Sequence, residues 1–436
     1  MNRRFVNKLI ATVVFVCVVL LFMLYRGINQ TSAINYFILI AISFYVIFKG
    51  IKQKFLLNPY ILFALTPITL LIYDVNVSSH YLNELNQSTY NLCFYNFICI
   101  LLGYAFANKY RFRTKVGYSW SIGDILSADS CSKHAYKLLF MGLYPTIYGC
   151  ITGIGHLISM DLNGTKQSIG SAPLASVFQL FLYPAIICAI QSRKKKTIFI
   201  TIVALAISVL LNFSKTTLVM LAVSVLLVMY NQSVLQKKNI INVILIGGVA
   251  LILFYYSFDF YNSIRHDYDT KKYFSDLGYV GNIKQSWFLP IMYLISPWGN
   301  LQYVMNTSVS HTFGLWAIKP FLGYLQFDSF FATQYSLTPM YSAFNTFSYI
   351  SCFYRDFGFI GSGAESFILG YFIMRIYTLF LEHRESPFIN AIYALNIYAT
   401  VMLFFNNHYL QLSYPITIVI LMWLYSKIFV KRGNPK

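Results

Sequence analysis

The chain has 436 residues, of which 57% are hydrophobic and only 11% are charged, and its mean hydropathy is +0.58. Soluble domains carry roughly 25% charged residues, so this composition excludes a soluble enzyme, a disordered regulator and an ordinary secreted domain. The formal charge of +19 does not indicate nucleic-acid binding, because the basic residues form short clusters between apolar runs, as in cytoplasmic loops of membrane proteins.

The apolar runs predict an all-α polytopic membrane bundle formed by residues 1–436 as a single unit. The first run, Val6–Leu24, is longer than the roughly 7–15 apolar residues of a signal peptide and is predicted to be an uncleaved span. A spanning helix needs about 20 apolar residues. The twelve predicted spans are Val6–Leu24, Ile34–Phe48, Phe55–Tyr73, Tyr90–Ala107, Leu138–Leu157, Pro173–Ile190, Ile198–Leu211, Thr216–Tyr230, Ile240–Phe258, Phe357–Phe380, Pro387–Phe405 and Leu412–Val430.

Charge sets the predicted orientation of the bundle. Placing the N-terminus in the cytoplasm puts most Lys and Arg residues, including the cluster Arg193–Lys196, on the cytoplasmic side. Both termini are therefore predicted to be cytoplasmic.

The predicted outer face carries one long loop, 259–356, which is far longer than an ordinary connection. Its aromatic content argues against disorder. Two apolar stretches, Trp287–Met305 and Phe313–Phe331, contain Pro or charged residues, which favours helices that lie on the membrane or dip into it. The alternative is an extra spanning hairpin, which would raise the count to fourteen.

Basic residues of this loop are candidate ligands for a lipid diphosphate, because Arg offers a planar fork and Lys a point charge to phosphate oxygens. They are Arg265, Lys284 and Lys319, and His266 follows the first of them. A solvated turn is the alternative interpretation of this cluster.

Two further charged positions lie at predicted membrane boundaries. Lys215 stands between two short spans, where it either snorkels to the surface or meets an anion. Arg355 and Asp356 precede the tenth span. Four glycines of that span would allow close helix packing: Gly358, Gly361, Gly363 and Gly370. Glu365 is the acid predicted to lie deepest in a span, and it is either functional or a structural hydrogen-bonding group.

Histidine could act as a general base near the outer face, because its pKa lies near neutrality. The candidates are His80, His156, His266, His311 and His408. No H-E-x-x-H motif, nucleotide-binding glycine motif or zinc-type cysteine spacing is present, so neither a metal nor a cofactor is predicted.

Three local features resemble the Wzy-type bacterial oligosaccharide repeat unit polymerases, which make O-antigen and capsule. Ser214-Lys215 resembles the family's small-then-basic turn, and Arg265 resembles the basic residue that opens its main outer loop. Asn345-Thr346 and Tyr354-Arg355-Asp356-Phe357-Gly358 with Gly361 resemble the entry to the following helix. The resemblance is most specific in the second half of the chain.

The resemblance implies a metal-independent glycosyltransferase at the outer face of the bacterial cytoplasmic (inner) membrane. It would transfer a growing glycan from undecaprenyl diphosphate to a hydroxyl of an incoming lipid-linked repeat unit. Arg265, Lys215 and Arg355 would bind diphosphate, with Lys284 and Lys319 as further substrate contacts. His266 and Asp356 would do acid–base work.

The expected ligands are lipid-linked oligosaccharides and membrane lipids. A chain-length regulator and a flippase are the expected protein partners. The alternative function is that of a lipid-linked oligosaccharide flippase. A flippase would need a cationic central cavity, whereas the predicted spans are almost uncharged.

Overall fold

The structure, a computed structural model, describes residues 30–53, 55, 57–76, 83–109, 127–159, 161–172, 174–212, 215–231, 285–307, 311–315, 318, 346–384, 386–411 and 413–430. All regular secondary structure among these residues is helical. The predicted all-helical class is therefore confirmed for the part of the chain that is described.

The helices are numbered here in chain order. They are α1 Gln30–Ile51, α2 Pro59–Phe63, α3 Leu65–Asn76, α4 Gln87–Lys109, α5 Ala128–Thr152, α6 Ile154–Ile158, α7 Leu162–Gly170, α8 Ala175–Gln179, α9 Leu182–Gln191, α10 Lys195–Asn212, α11 Lys215–Asn231, α12 Gln285–Asn306, α13 Tyr349–Glu382, α14 Pro387–Val401 and α15 Ser413–Val430. Two 3-10 turns, Met402–Phe404 and His408–Leu410, separate α14 from α15.

Several helices are long and apolar enough to cross a membrane. Within the described residues, five stretches meet both conditions: Ile34–Ile51, Gln87–Lys109, Ala175–Ser192, Tyr349–Glu382 and Pro387–Phe404. Shorter apolar helices cover Pro59–Asp74, Met220–Asn231 and Ser413–Ser426. The chain is thus built like a membrane protein with several spans, whereas the count of twelve and the side of each terminus stay predictions. The first and ninth predicted spans lie outside the described residues.

The most extensive contact between helices joins α4 to α13. Tyr95 faces Ile360 and Gly363, and further along both helices Gly103 faces Phe367 and Gly370, so the two helices run parallel. A Cβ atom on Gly103 would collide with the backbone oxygen of Phe367, and one on Gly370 would collide with that of Ile100. Since apolar side chains gain little by leaving lipid, such close backbone contact is a main source of helix association in membranes. The predicted packing role of Gly370 is confirmed.

The first apolar stretch of the predicted outer loop forms α12, which packs against α3, α4 and α13. Trp298 is fully buried at this contact, and its Nε1 donates a hydrogen bond to Thr69 Oγ1 at 3.3 Å. One face of α12 therefore belongs to the core of the bundle. Its position relative to the membrane stays a prediction, and most of the second apolar stretch lies outside the described residues.

The connection between α14 and α15 packs against α13. Helix α14 and the first 3-10 turn form an apolar stretch, Pro387–Phe404, that ends within one residue of the predicted span Pro387–Phe405. The Tyr409 ring in this connection lies 6.2 Å from the Phe372 ring of α13, centroid to centroid. The location of these residues at the outer face stays a prediction.

Candidate functional site

Helix α13 consists of two arms joined at Gly358. The backbone there has φ 66° and ψ −158°, a conformation that is essentially restricted to glycine. The arm Tyr349–Phe357 ends at this point and a second arm continues to Glu382. The sequence suggested only a packing role for Gly358. In the structure its positive φ interrupts the helix, which a residue with a side chain would rarely allow.

A short segment, residues 311–315, closes over the break. The amide of Thr312 donates a hydrogen bond to the carbonyl oxygen of Arg355 at 3.1 Å, and the amide of Phe313 donates one to that of Asp356 at 2.8 Å. A helix that ends leaves its last carbonyl groups without helical donors. The 311–315 segment supplies donors to two of these groups and is thereby fixed to the end of the first arm.

The two charged residues of the predicted motif lie at this junction. Arg355 is 2% exposed and Asp356 is 0% exposed. The hydroxyl of Thr312 donates a hydrogen bond to Asp356 Oδ1. Both residues are therefore buried at this junction, where hydrogen bonds tie them to the 311–315 segment.

His311 is the exposed ionisable side chain at the break. Its ring packs edge-on against Tyr354, with 5.8 Å between centroids. His311 Nε2 lies 2.8 Å from the position that a Cβ atom on Gly358 would take. Glycine is thus needed at 358 for the close approach of this imidazole as well as for its φ angle.

Glu365 lies about two turns beyond the break, and its Oε2 is buried without a hydrogen-bond partner among the described residues. Its carboxyl is near enough to Asp356 for the two charges to interact. On either side of Glu365 along α13, two serines contact Asn96 of α4. Asn96 donates a hydrogen bond to Ser362 Oγ at 3.1 Å and accepts one from Ser366. These contacts form a polar layer between α4 and α13 beneath the break.

Sequence reasoning missed one buried acid. Asp74 in α3 is 4% exposed and accepts a hydrogen bond from the Tyr90 hydroxyl. The third predicted span ends at Tyr73, one residue before this acid. The helix continues to Asn76, however, and α3 packs against α1 and α12, so Asp74 is enclosed by neighbours.

The other predicted site residues are not brought to the break within the described structure. Arg265, His266, Lys284 and Lys319 lie outside the described residues. Lys215 begins α11, and its side chain is not among those described. The described part of the candidate site therefore contains Arg355 and Asp356. In the structure His311 and Thr312 lie beside them.

Two other candidate histidines have different surroundings. His156 Nδ1 lies 2.8 Å from Asp161 Oδ2 on the surface. His408 is in contact with the Tyr398 hydroxyl at 3.2 Å and with Gln411 Oε1 at 3.0 Å, in the connection between α14 and α15. His80 lies outside the described residues. Of the described histidines, only His311 is next to the predicted Arg-Asp motif.

No group of three or more His, Cys, Asp and Glu side chains suited to a metal ion occurs within the described ranges. No protein-family model matches the chain, and no curated protein or solved structure matches it either.

Proposed function

We propose that this protein polymerises lipid-linked oligosaccharide repeat units at the outer face of the bacterial cytoplasmic membrane. The observation that carries the proposal is the convergence of Arg355, Asp356 and the exposed His311 at one break in a membrane-type helix. A cation can stabilise the departing diphosphate, and an imidazole can accept the proton of the attacking hydroxyl. One of the three features that resemble Wzy-type polymerases, Tyr354-Arg355-Asp356-Phe357-Gly358, lies in the same segment.

The proposed reaction moves the growing glycan from undecaprenyl diphosphate to the incoming repeat unit. A sugar hydroxyl of the incoming unit attacks the anomeric carbon of the growing chain, and a new carbon–oxygen bond forms. The bond from that carbon to the diphosphate oxygen breaks, and undecaprenyl diphosphate leaves with the electron pair. The hydroxyl proton passes to a general base.

His311 fits the role of the base, because it is exposed and lies at the mouth of the break. Arg355 fits the stabilisation of the departing diphosphate, whose negative charge develops as the bond breaks. Asp356 fits a positioning role, because it holds the 311–315 segment through Thr312. This assignment replaces His266 as the first candidate for the base and keeps Arg265 and Lys215 as further diphosphate ligands.

The packing favours a polymerase over a flippase. A flippase for lipid diphosphates would need several cations in a central cavity. Among the described residues, Arg355 is the single Lys or Arg side chain that is buried, and it lies at one break rather than in a central row.

Deletion of the gene in its source bacterium tests the reaction class. A polymerase deletion should shorten the surface polysaccharide ladder to a single repeat unit on a gel. Loss of even the single repeat would indicate failed translocation and would support the flippase instead.

Complementation with His311→Ala tests the site. We expect polymer to fall by about 100-fold or more, as is usual for loss of a general base. His156→Ala is the matched control, because it removes another exposed histidine that is remote from the motif. Membrane levels of both variants are compared by immunoblot. A full-length ladder from His311→Ala at normal protein level would contradict the assigned role.

A further inference from the structure

The backbone between α14 and α15 leaves its helical path inside the bundle. Phe372, against which Tyr409 packs, lies about 14 residues beyond Gly358, or roughly 21 Å at 1.5 Å per residue. Irregular backbone in membrane proteins is tolerated where it is enclosed by protein or lines a polar cavity. Residues 402–411 are called the inner break below.

The inner break contains a buried amide that has no protein partner. Asn407 is 2% exposed, and neither its Nδ2 nor its Oδ1 forms a hydrogen bond with any residue that the structure describes. A buried polar group in that condition costs roughly 1–3 kcal/mol. Such a group is normally satisfied by a ligand or by ordered water when the protein itself offers nothing.

Further unsatisfied polar atoms lie around Tyr409, in the same region. The Tyr409 hydroxyl lies 2.8 Å from Asn396 Oδ1, while Asn396 Nδ2 has no partner among the described residues. The hydroxyl of Tyr104, which is close enough to Tyr409 for electrostatic interaction, likewise has none there. Unsatisfied polar atoms thus occur both at Asn407 of the inner break and beside its Tyr409.

Asn390 is another buried asparagine, and its side-chain amide is hydrogen-bonded to other residues of the protein. Asn390, in α14, is 0% exposed, and its Nδ2 donates to the carbonyl oxygens of Arg384 and Ser386, each at 2.8 Å. Its Oδ1 accepts a hydrogen bond from Asn231 at 2.9 Å. An asparagine amide can therefore be buried in this bundle with both its nitrogen and its oxygen hydrogen-bonded. Asn407 differs, because neither atom has such a partner among the described residues.

We infer that the inner break binds a hydroxyl group from outside the chain, with Asn407 as both donor and acceptor. A bare cation would leave Asn407 Nδ2 unsatisfied and an anion would leave Oδ1 unsatisfied, whereas a hydroxyl group satisfies both. The hydroxyl belongs either to bound water or to a sugar. The inference does not depend on the proposed polymerase activity.

X-ray radiolytic footprinting of the unmodified protein tests the site, because it generates radicals from water bound in the interior. Tyr409 should be oxidised faster than Tyr144 of α5, a tyrosine in the same intermediate class of exposure. Oxidation of Tyr409 no faster than that of Tyr144 would overturn the inference.

Asn407→Leu should lower the oxidation of Tyr409 severalfold, because the hydroxyl group loses its anchor. Asn390→Leu, which removes a satisfied amide, should leave that oxidation unchanged. Unchanged oxidation in Asn407→Leu would also overturn the inference. Adding lipid-linked repeat units to the unmodified protein separates the two hydroxyl sources. Protection of Tyr409 assigns the site to a sugar hydroxyl, and unchanged oxidation assigns it to water.

Discussion

At the scale of single residues, Gly358 and His311 are coupled through space. Glycine permits the positive φ of the break and leaves room for the imidazole. The motif around Arg355 and Asp356 could be found from the sequence, because its residues are contiguous. The approach of His311 could not, because it is far along the chain from Gly358 and no local pattern links the two.

Gly358→Ala should destabilise the protein by about 1–3 kcal/mol, because alanine rarely adopts this φ and ψ combination and its Cβ would meet His311. The thermal midpoint in detergent measures the effect. Gly155→Ala is the control, since a Cβ atom there would meet nothing within 4 Å.

Adding His311→Ala to Gly358→Ala removes the collision but leaves the backbone strain. Part of the lost stability should therefore return. A Gly358→Ala protein as stable as the control would show that the break is not a strained feature of the fold.

At the scale of helices, the sequence indicated which segments are apolar but not which pairs touch. Gly103 and Gly370 are both small residues in predicted spans, yet their mutual contact depends on α4 and α13 lying parallel and in one register. Hydropathy reports the preference of a segment for lipid and carries no information about its neighbour. The same limit hid Asp74, which is buried in the bundle and accepts a hydrogen bond from Tyr90 of α4.

Gly370→Leu should separate α4 from α13 and destabilise the protein by about 3 kcal/mol or more, since overpacking against backbone atoms cannot be relieved by side-chain rotation. The thermal midpoint and the yield of monodisperse protein in detergent provide the measurement. Gly170→Leu is the matched control, because the space beside that glycine is open. Equal midpoints for the two variants would contradict the close packing of these helices.

At the scale of the whole molecule, opposite ends of α5 carry different polar contacts. Lys194 forms an ion pair with Asp129 at the beginning of α5, and the His156 ring is hydrogen-bonded to Asp161 beyond its other end. A helix of 25 residues is about 37 Å long at 1.5 Å per residue, which is enough to separate the two faces of a bilayer. The charge pattern predicts that Lys194 is cytoplasmic and His156 is outside.

Single cysteines at these positions test the orientation in a chain whose native cysteines are replaced. A membrane-impermeant maleimide added to intact cells should label Cys introduced by His156→Cys or His311→Cys. It should label Lys194→Cys only after the membrane is opened. Labelling of Lys194→Cys in intact cells would reverse the predicted topology and would remove the proposed site from the outer face.

The helical membrane class of the chain follows from hydropathy and charge, which are local properties that any segment carries alone, and the orientation predicted from the same properties stays a prediction. The contact of His311 with the Arg355-Asp356 motif and the burial of Asn407 in the inner break are visible only in the packed chain. These features require backbone breaks whose depth depends on the helices packed around them. In a chain with so few charges, helix packing sets the position of each polar group within the bundle. Packing depends on contacts between residues that are far apart in the chain, so no local sequence pattern reveals it.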